Sequence, residues 1–258
     1  MERVLELSLK NINKTFYSKM RTIKVLDDIT FDVYKNEFLV ILGPGKCGKT
    51  TLLNIISQLI KETSGEILFH DNGEYVLDNL HPIKTKIAII FQRNVLMLWK
   101  NVMQNVAFSL TLNHIDKKVK DKISQYYIDL VKLNGFEHNF PNELSGGMKQ
   151  RVGIARAYAS NPQLLLMDEP FGSLDAQTRY SMQNEILKIY EKEKRTLAFI
   201  TNNIEEALFL GDRIVLLSEC PTKVKKIYNV NLERPRNIMD SEFLRMREDI
   251  SSNMDLVL

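Results

Sequence analysis

Cysteine, long apolar runs and a strong charge of either sign are all scarce in this 258-residue sequence. There are only two cysteines, Cys47 and Cys220, and Cys47 lies inside a glycine-rich loop, so we predict no structural disulfide and a reducing compartment. No run of about 18 apolar residues exists, and residues 1–7 lack a signal-peptide core, so we expect neither a membrane span nor a leader.

The charge is nearly balanced, since 35 basic and 32 acidic side chains leave a net charge of +3. Proteins that bind nucleic acid usually carry clustered basic patches. The two short basic runs here, residues 117–120 and 223–226, are predicted to be solvated faces. We therefore predict no nucleic-acid partner.

Hydrophobic periodicity predicts an α/β protein with an inserted helical lobe. The unbroken apolar run Phe38–Leu42 is typical of a strand buried on both faces of a parallel sheet. From about residue 94 to residue 160 the spacing is helical. Other predicted strands are residues 4–12, 29–33, 67–69, 75–77, 86–91, 164–167, 197–201 and 214–217; predicted helices are residues 50–60, 102–112, 117–133, 178–194 and 204–210; a polar tail follows from about Asn229.

A phosphate-binding pattern, G-x-x-x-x-G-K-[ST], lies between the strand Phe38–Leu42 and the next helix. Its glycines let consecutive backbone N–H groups face one anion, and the helix N-terminus adds about half a positive charge. In this pattern Lys49 reaches the β- and γ-phosphates and Thr50 ligates Mg²⁺; the alternative is an ordinary glycine-rich turn. The predicted nucleotide-binding residues are Gly43, Pro44, Gly45, Lys46, Cys47, Gly48, Lys49, Thr50 and Thr51.

Two carboxylates, Asp168 and Glu169, follow the apolar strand at residues 164–167. Strand ends in an α/β sheet open onto the ligand crevice. We predict that Asp168 holds Mg²⁺, directly or through water, and that Glu169 polarises the attacking water. The alternative is a helix N-cap or a surface pair, but the phosphate-binding pattern upstream favours the catalytic interpretation.

A second glycine-rich element, Leu144-Ser145-Gly146-Gly147-Met148-Lys149-Gln150-Arg151, opens a helical segment. With the two motifs above, it resembles the signature of the ATPase subunit of ATP-binding cassette (ABC) transporters, and the resemblance covers nearly the whole chain. It implies a P-loop NTPase fold with a mixed central sheet, an antiparallel β subdomain and an inserted helical subdomain. It also implies a homodimer in which Ser145, Gly146 and Gly147 bind ATP held by the other copy.

Four further elements occur in the family's order. Phe16 matches the aromatic that stacks on adenine, with a core aromatic as the alternative, and Gln92 matches the glutamine that contacts Mg²⁺ and the attacking water. Residues 173–175, Ser-Leu-Asp, match the loop that crosses the dimer interface. Residues 201–207 occupy the place of the switch histidine, which contacts the γ-phosphate.

The sequence departs from the family at two places. Asn202 replaces the switch histidine; it can donate a hydrogen bond but cannot carry a charge or shuttle a proton, so we expect slower hydrolysis with ATP binding largely kept. In the phosphate loop, Gly45-Lys46 replaces the usual Ser-Gly, which displaces the glycine by one position. We expect Lys46 to point to solvent, with a contribution to phosphate binding as the alternative.

Several stretches look like bacterial importers of the nitrate/sulfonate/taurine type, namely residues 171–175, 209–218, Leu232-Glu233-Arg234-Pro235-Arg236 and the Trp99 segment 96–102. This resemblance implies a separate transmembrane permease, a solute-binding protein reached through it, and a location on the cytoplasmic face of the membrane. Trp99 is a candidate anchor for the permease, with a core residue as the alternative. We predict an ATPase domain at residues 1–228, with its helical subdomain at about 94–160, and a tail at residues 229–258.

Two other functions remain open from the sequence. One is a soluble ABC ATPase, although such proteins usually carry long coiled-coil insertions or two cassettes. The other is a subunit that binds nucleotide with weak or no hydrolysis, for which Asn202 is the only support.

Overall fold

The computed structural model describes residues 3–19, 21–70, 85–92, 95–172 and 174–254. The predicted strand at residues 75–77 and Ser173 lie outside these ranges. The chain divides into two units: Met1–Asp71 with Thr196–Leu258 form the first, and Asn72–Arg195 form the second.

Strands and helices occur in the order expected of an α/β protein. The strands are β1 (Leu5–Tyr17), β2 (Thr22–Tyr34), β3 (Phe38–Leu42), β4 (Ser64–Phe69), β5 (Thr85–Ile90), β6 (Pro162–Asp168), β7 (Thr196–Thr201), β8 (Arg213–Leu217) and β9 (Val224–Asn229). The helices are α1 (Lys49–Ile56), α2 (Val102–Val106), α3 (Phe108–Leu112), α4 (Lys117–Leu130), α5 (Gly146–Ala159), α6 (Ala176–Glu193), α7 (Ile204–Leu210) and α8 (Ser241–Asn253), with a 3₁₀ turn at Pro141–Glu143.

A mixed sheet forms the centre of the first unit, in the order β7-β3-β8-β9. Strands β7, β3 and β8 are parallel, and β9 runs antiparallel to β8. Every residue of β3, β7 and β8 is buried, as their unbroken apolar runs require. The register pairs Leu42 with Thr201 on one side and with Leu216 on the other. The chain therefore leaves β3 and β7 at the same edge of the sheet.

An antiparallel sheet, β2-β1-β4, accompanies it in the first unit. The alternation in residues 4–12 and 29–33 correctly predicts a part of each of its two long strands. Both strands are 13 residues long and extend beyond the predicted bounds. Gly65 in β4 has a φ of +108°, and a Cβ there would lie 2.4 Å from the carbonyl oxygen of Asn11. Only glycine permits this close approach between β4 and β1.

The second unit combines the parallel pair β5–β6 with helices. Helices α2, α3 and α4 pack on α5, which also packs on β5 and β6. The helix predicted at residues 102–112 is two helices, because Ala107 has a ψ of −2° and ends α2 before α3 begins. Helix α4 ends at Leu130, three residues before the predicted end, and Lys132 then adopts a left-handed φ of 56°.

The end of the chain contains a strand and a helix that its polar composition hides. Strand β9, which lies almost entirely before the predicted tail, exposes Lys225, Lys226 and Ile227, so it lacks a clear apolar pattern. Helix α8 buries Phe243 and Ile250 and packs against α7. Within the described ranges, no helix is both long and apolar enough to span a membrane.

Candidate functional site

The phosphate loop, residues 43–48, connects β3 to α1 in the first unit. Lys49, the first residue of α1, is only 4% exposed, and its Nζ donates hydrogen bonds to the carbonyl oxygens of Gly43 (3.0 Å) and Pro44 (2.8 Å). The loop thus holds an ammonium group at its base, while Gly45, Lys46 and Thr50 are exposed. This arrangement provides a positive charge and a helix N-terminus for an anion.

Thr222, a residue distant in sequence, supports the phosphate loop. Thr222 is fully buried, and its hydroxyl donates a hydrogen bond to the carbonyl oxygen of Cys47. Burial raises the pKa of the Cys47 thiol, so the thiol stays protonated near neutral pH. Nothing in the local sequence could have identified Thr222, because 175 residues separate it from Cys47.

Lys46 occupies a left-handed position in the loop, with a φ of 62°. This conformation favours glycine. The glycine displaced to position 45 does not relieve the backbone strain, because the residue in the left-handed conformation is Lys46. Lys46 is exposed, which both the solvent-facing position and a contribution to phosphate binding allow.

Asn202 follows β7 at the same sheet edge from which the phosphate loop leaves β3, since Leu42 is paired with Thr201. Asn202 is exposed. The next residue, Asn203, caps α7 by accepting a hydrogen bond from the N–H of Glu206 (2.9 Å), and the Thr201 hydroxyl donates to the Glu206 carboxylate. The pattern Asn-x-x-Glu at residues 203–206 is an N-terminal helix signal that could have predicted this cap from sequence.

The carboxylates and the glutamine lie together in the second unit. The register pairs Ile90 with Met167, so Gln92 and Asp168 follow neighbouring strands at one edge. A Cβ on Gly172 would lie 3.3 Å from Gln92 Nε2 and 3.4 Å from the carbonyl oxygen of Glu169. Glu169 has a left-handed φ of 41°, a strained conformation that is common at functional sites.

Each unit offers oxygen atoms of the kind that Mg²⁺ prefers. In the first unit, Thr50 is exposed on the first turn of α1. In the second unit, Gln92 offers an amide oxygen and Asp168 a carboxylate, and Asp168 is 8% exposed. Mg²⁺ prefers one or two carboxylates with other hard oxygen ligands and water, so the chemistry of these residues fits this ion.

The signature residues form the N-terminus of α5. Ser145 caps the helix by accepting a hydrogen bond from the N–H of Met148 (3.3 Å). A cavity of about 340 Å³ lies beside this end, lined by Ser145, Gly147 and Met148 from α5 and by Gln177, Thr178 and Ser181 from α6. Asp175 caps α6, and the hydrogen bond that it accepts from the N–H of Thr178 lowers the pKa of the Asp175 carboxyl. An anion can reach the first N–H groups of α5 from this cavity.

Two aromatic candidates are exposed rather than part of the core. Phe16 is 43% exposed near the end of β1, and the Nζ of Lys14 lies 4.9 Å from its ring centroid. Trp99 is 74% exposed. Both side chains are therefore accessible to a partner or a ligand.

The short segment that carries Trp99 is braced from within. Asn105 on α2 is fully buried, and its amide donates to the carbonyl oxygens of Met97, Lys100 and Asn101 and accepts from the N–H of Met97. Arg156 on α5 donates to the carbonyl oxygen of Val95 (3.0 Å). These hydrogen bonds brace the segment, and its side chains Val95, Leu98 and Trp99 are exposed.

The fold and the phosphate loop define a P-loop nucleotide-binding protein. A family model described as ABC transporter matches residues 26–172. The chain is 45% identical over 246 residues to an uncharacterised ABC transporter ATP-binding protein of Methanocaldococcus jannaschii, covering 95% of this chain and 90% of the relative. It is 42% identical to the aliphatic sulfonates import ATP-binding protein SsuB of Bacillus cereus, covering 95% and 94%.

A solved structure agrees with these relatives. The dimeric post-hydrolysis state of the ATP-binding cassette MJ0796, bound to ADP and Pi, is 30% identical and superposes with a TM-score of 0.72, covering 88% of this chain and 100% of that chain. This chain belongs to the ABC transporter family, as an ABC-type ATPase. The family and the P-loop NTPase fold implied by the motifs are thereby confirmed.

Two glycines of the phosphate loop should respond differently to substitution. Gly48 has a φ of +115°, and a Cβ there would lie 2.8 Å from Val25 Cγ1, whereas a Cβ on Gly45 meets nothing within 4 Å. We expect Gly48→Ala to lower the free energy of unfolding by about 2 kcal/mol. Gly45→Ala should lower it by less than about 0.5 kcal/mol. Urea unfolding of the nucleotide-free protein measures both, and equal losses would contradict the assigned backbone geometry.

Proposed function

We propose that this chain is the ATP-binding and hydrolysing subunit of an importer for a small solute of the nitrate, sulfonate or taurine type. The observation that carries the proposal is the phosphate loop, in which buried Lys49 lies on the loop carbonyls at the sheet edge where Asn202 also emerges. The sulfonate-import relative supports the importer class. The domain division follows: an ATPase domain at residues 1–228, with its helical subdomain at about 94–160, and a tail at 229–258.

ATP binding assigns a role to each residue of the loop. Backbone N–H groups of residues 43–51 bind the phosphates, Lys49 exchanges its carbonyl contacts for phosphate oxygens, and Phe16 stacks on adenine. The oxygens of Thr50, Gln92 and Asp168 would hold Mg²⁺. When bound, this ion neutralises phosphate charge.

Hydrolysis depends on residues that orient water and stabilise charge. Glu169 accepts a proton from the attacking water, and Gln92 orients the same water. Asn202 donates a neutral hydrogen bond to the γ-phosphate. Because a charge-assisted bond is roughly twice as strong as a neutral one, Asn202 stabilises the reacting phosphate less than a histidinium would.

The homodimer completes the ATP site. Ser145, Gly146 and Gly147 of one copy bind the nucleotide held by the other, through the N-terminus of α5 and the cavity beside it. The dimeric cassette bound to ADP and Pi supports this assembly. Binding of ATP then closes the dimer, and hydrolysis lets it open.

Glu169→Gln tests the proposed function. We expect ATP hydrolysis to fall by at least about 100-fold, because the water loses its general base. The ATP-bound dimer should then accumulate, as measured by size-exclusion chromatography with ATP and Mg²⁺. Glu191→Gln, a change at an exposed position of α6, is the control and should behave like the unaltered protein. A variant that hydrolyses ATP at the unaltered rate would refute the role of Glu169.

Asn202 favours a second candidate function, a subunit that binds ATP and hydrolyses it weakly. Because position 202 is exposed, a histidine fits there. We expect Asn202→His to raise kcat by about threefold to tenfold, since the imidazolium adds a charge-assisted hydrogen bond. Asn202→Gln keeps a neutral amide and should not raise it. An unchanged or lower rate in the histidine variant would show that Asn202 is adapted to this chain.

Coupling to the membrane requires a docking surface for the permease on the cytoplasmic face. Val95, Leu98 and Trp99 expose apolar surface on one braced segment that follows Gln92, a catalytic candidate. Exposed apolar patches on a rigid scaffold mark interaction sites. We place the permease contact at this segment, and the solute-binding protein acts through the permease.

A matched pair of leucines tests the docking surface. Leu98 and Leu112 are 70% and 63% exposed, so their truncation removes similar surface. In membranes that co-express the proposed permease partner, Leu98→Ala and Trp99→Ala should weaken co-purification by about tenfold or more. Leu112→Ala should leave it unchanged. Equal effects of the two leucine variants, or none, would exclude this segment as the contact.

A further inference from the structure

Helix α7 links the switch residue to the tail. It begins at Ile204, directly after Asn202 and Asn203, and ends at Leu210. Seven residues span only about 10 Å, so the helix moves as one rigid piece. Any displacement of its C-terminal end is therefore passed to the switch residue at its N-terminal end.

The carbonyl groups at the C-terminal end of α7 are bound by one arginine of the tail. The last turn of α7 has no basic residue of its own. Arg236, 7% exposed, donates from Nη1 to the carbonyl oxygens of Leu208 (2.6 Å), Phe209 (3.3 Å) and Gly211 (2.7 Å). A cation at this end also complements the helix dipole.

A second arginine extends this cap toward the central strand. Arg234 donates to the carbonyl oxygen of Leu210 and forms an ion pair with Asp212 (2.7 Å). The other carboxylate oxygen of Asp212 accepts from the N–H of Phe38 (2.8 Å), at the start of β3. The end of α7 is thus fixed to the strand that leads into the phosphate loop.

Helix α8 adds a side contact. It packs on α7, and Arg247 forms an ion pair with Glu205 (2.8 Å). Both side chains of that pair are exposed, so it contributes little alone. The charge-assisted hydrogen bonds of Arg236 and Arg234 are stronger than this exposed ion pair.

We propose that Arg236, supported by Arg234, is a positioning residue for ATP hydrolysis: the tail motif at residues 232–236 holds α7 so that Asn202 stays aligned with the γ-phosphate. This inference rests on the proposed role of Asn202. In this proposal the tail supports catalysis indirectly, through its contacts with α7.

The test compares Arg236→Gln with Arg245→Gln, a change at an exposed position of α8. In the purified full chain with ATP and Mg²⁺, we expect Arg236→Gln to lower kcat about fivefold with KM changed less than about twofold, and Arg236→Lys to restore part of the loss. Arg245→Gln should change neither. If Arg236→Gln does not fold, Arg234→Gln takes its place with the same expected split.

A double-mutant cycle separates this inference from the role of Asn202. In an Asn202→Ala background, Arg236→Gln should lower kcat by less than about twofold, because both changes act on one step. A full further loss would overturn the inference while leaving Asn202 in its role. If Asn202→Ala alone leaves kcat unchanged, the role of Asn202 fails, and with it the alignment by Arg236.

Hydrogen exchange provides a readout that a purely structural role would not change selectively. In Arg236→Gln, amides of residues 202–210 should exchange about tenfold faster, whereas amides of α1, residues 49–56, should keep their rates. Equal acceleration in both peptides would show general destabilisation and would overturn the proposal.

Discussion

The position of β3 between β7 and β8 is the constraint on which the placement of the phosphate loop and Asn202 depends. Leu42 is in register with Thr201 and Leu216, so the phosphate loop and the switch residue leave the sheet side by side. All three strands are fully buried, and a slip of one position would turn apolar side chains away from their neighbours. The pairing of three buried strands thus specifies where the phosphate loop and Asn202 lie.

Residues from one part of the chain support both the phosphate loop and the helix that follows Asn202. Thr222 holds the carbonyl of Cys47 in the phosphate loop, and Arg236 holds the end of α7 behind Asn202. Both braces lie after β8 in sequence, in the last fifth of the chain. The last fifth of the chain, which includes the predicted polar tail, therefore contributes buried hydrogen bonds to the phosphate loop and to α7, where unmet polar groups are costly.

Motifs with fixed local geometry were predictable, and contacts between distant residues were not. The apolar run Phe38–Leu42 and the glycine pattern after it predict strand, loop and helix, because spacing alone determines them. Helix α8 escaped prediction because it buries only Phe243 and Ile250. The left-handed conformation of Lys46 was not predicted either, because this conformation favours glycine and the glycine of this sequence is at position 45. The predicted roles of Asp168 and Glu169 come from their place at the end of an apolar strand, and that of Gln92 comes from family resemblance. The strand register adds that Gln92 and Asp168 follow neighbouring strands.

The burial of Cys47 has a consequence for the redox chemistry of the protein. Peroxides and disulfides react with an accessible thiolate, and the Cys47 thiol is buried with a raised pKa. Cys220, by contrast, is exposed and is the sulfur that oxidants meet first. The thiol in the phosphate loop is thus shielded from oxidants by its burial, whereas the exposed thiol lies at Cys220.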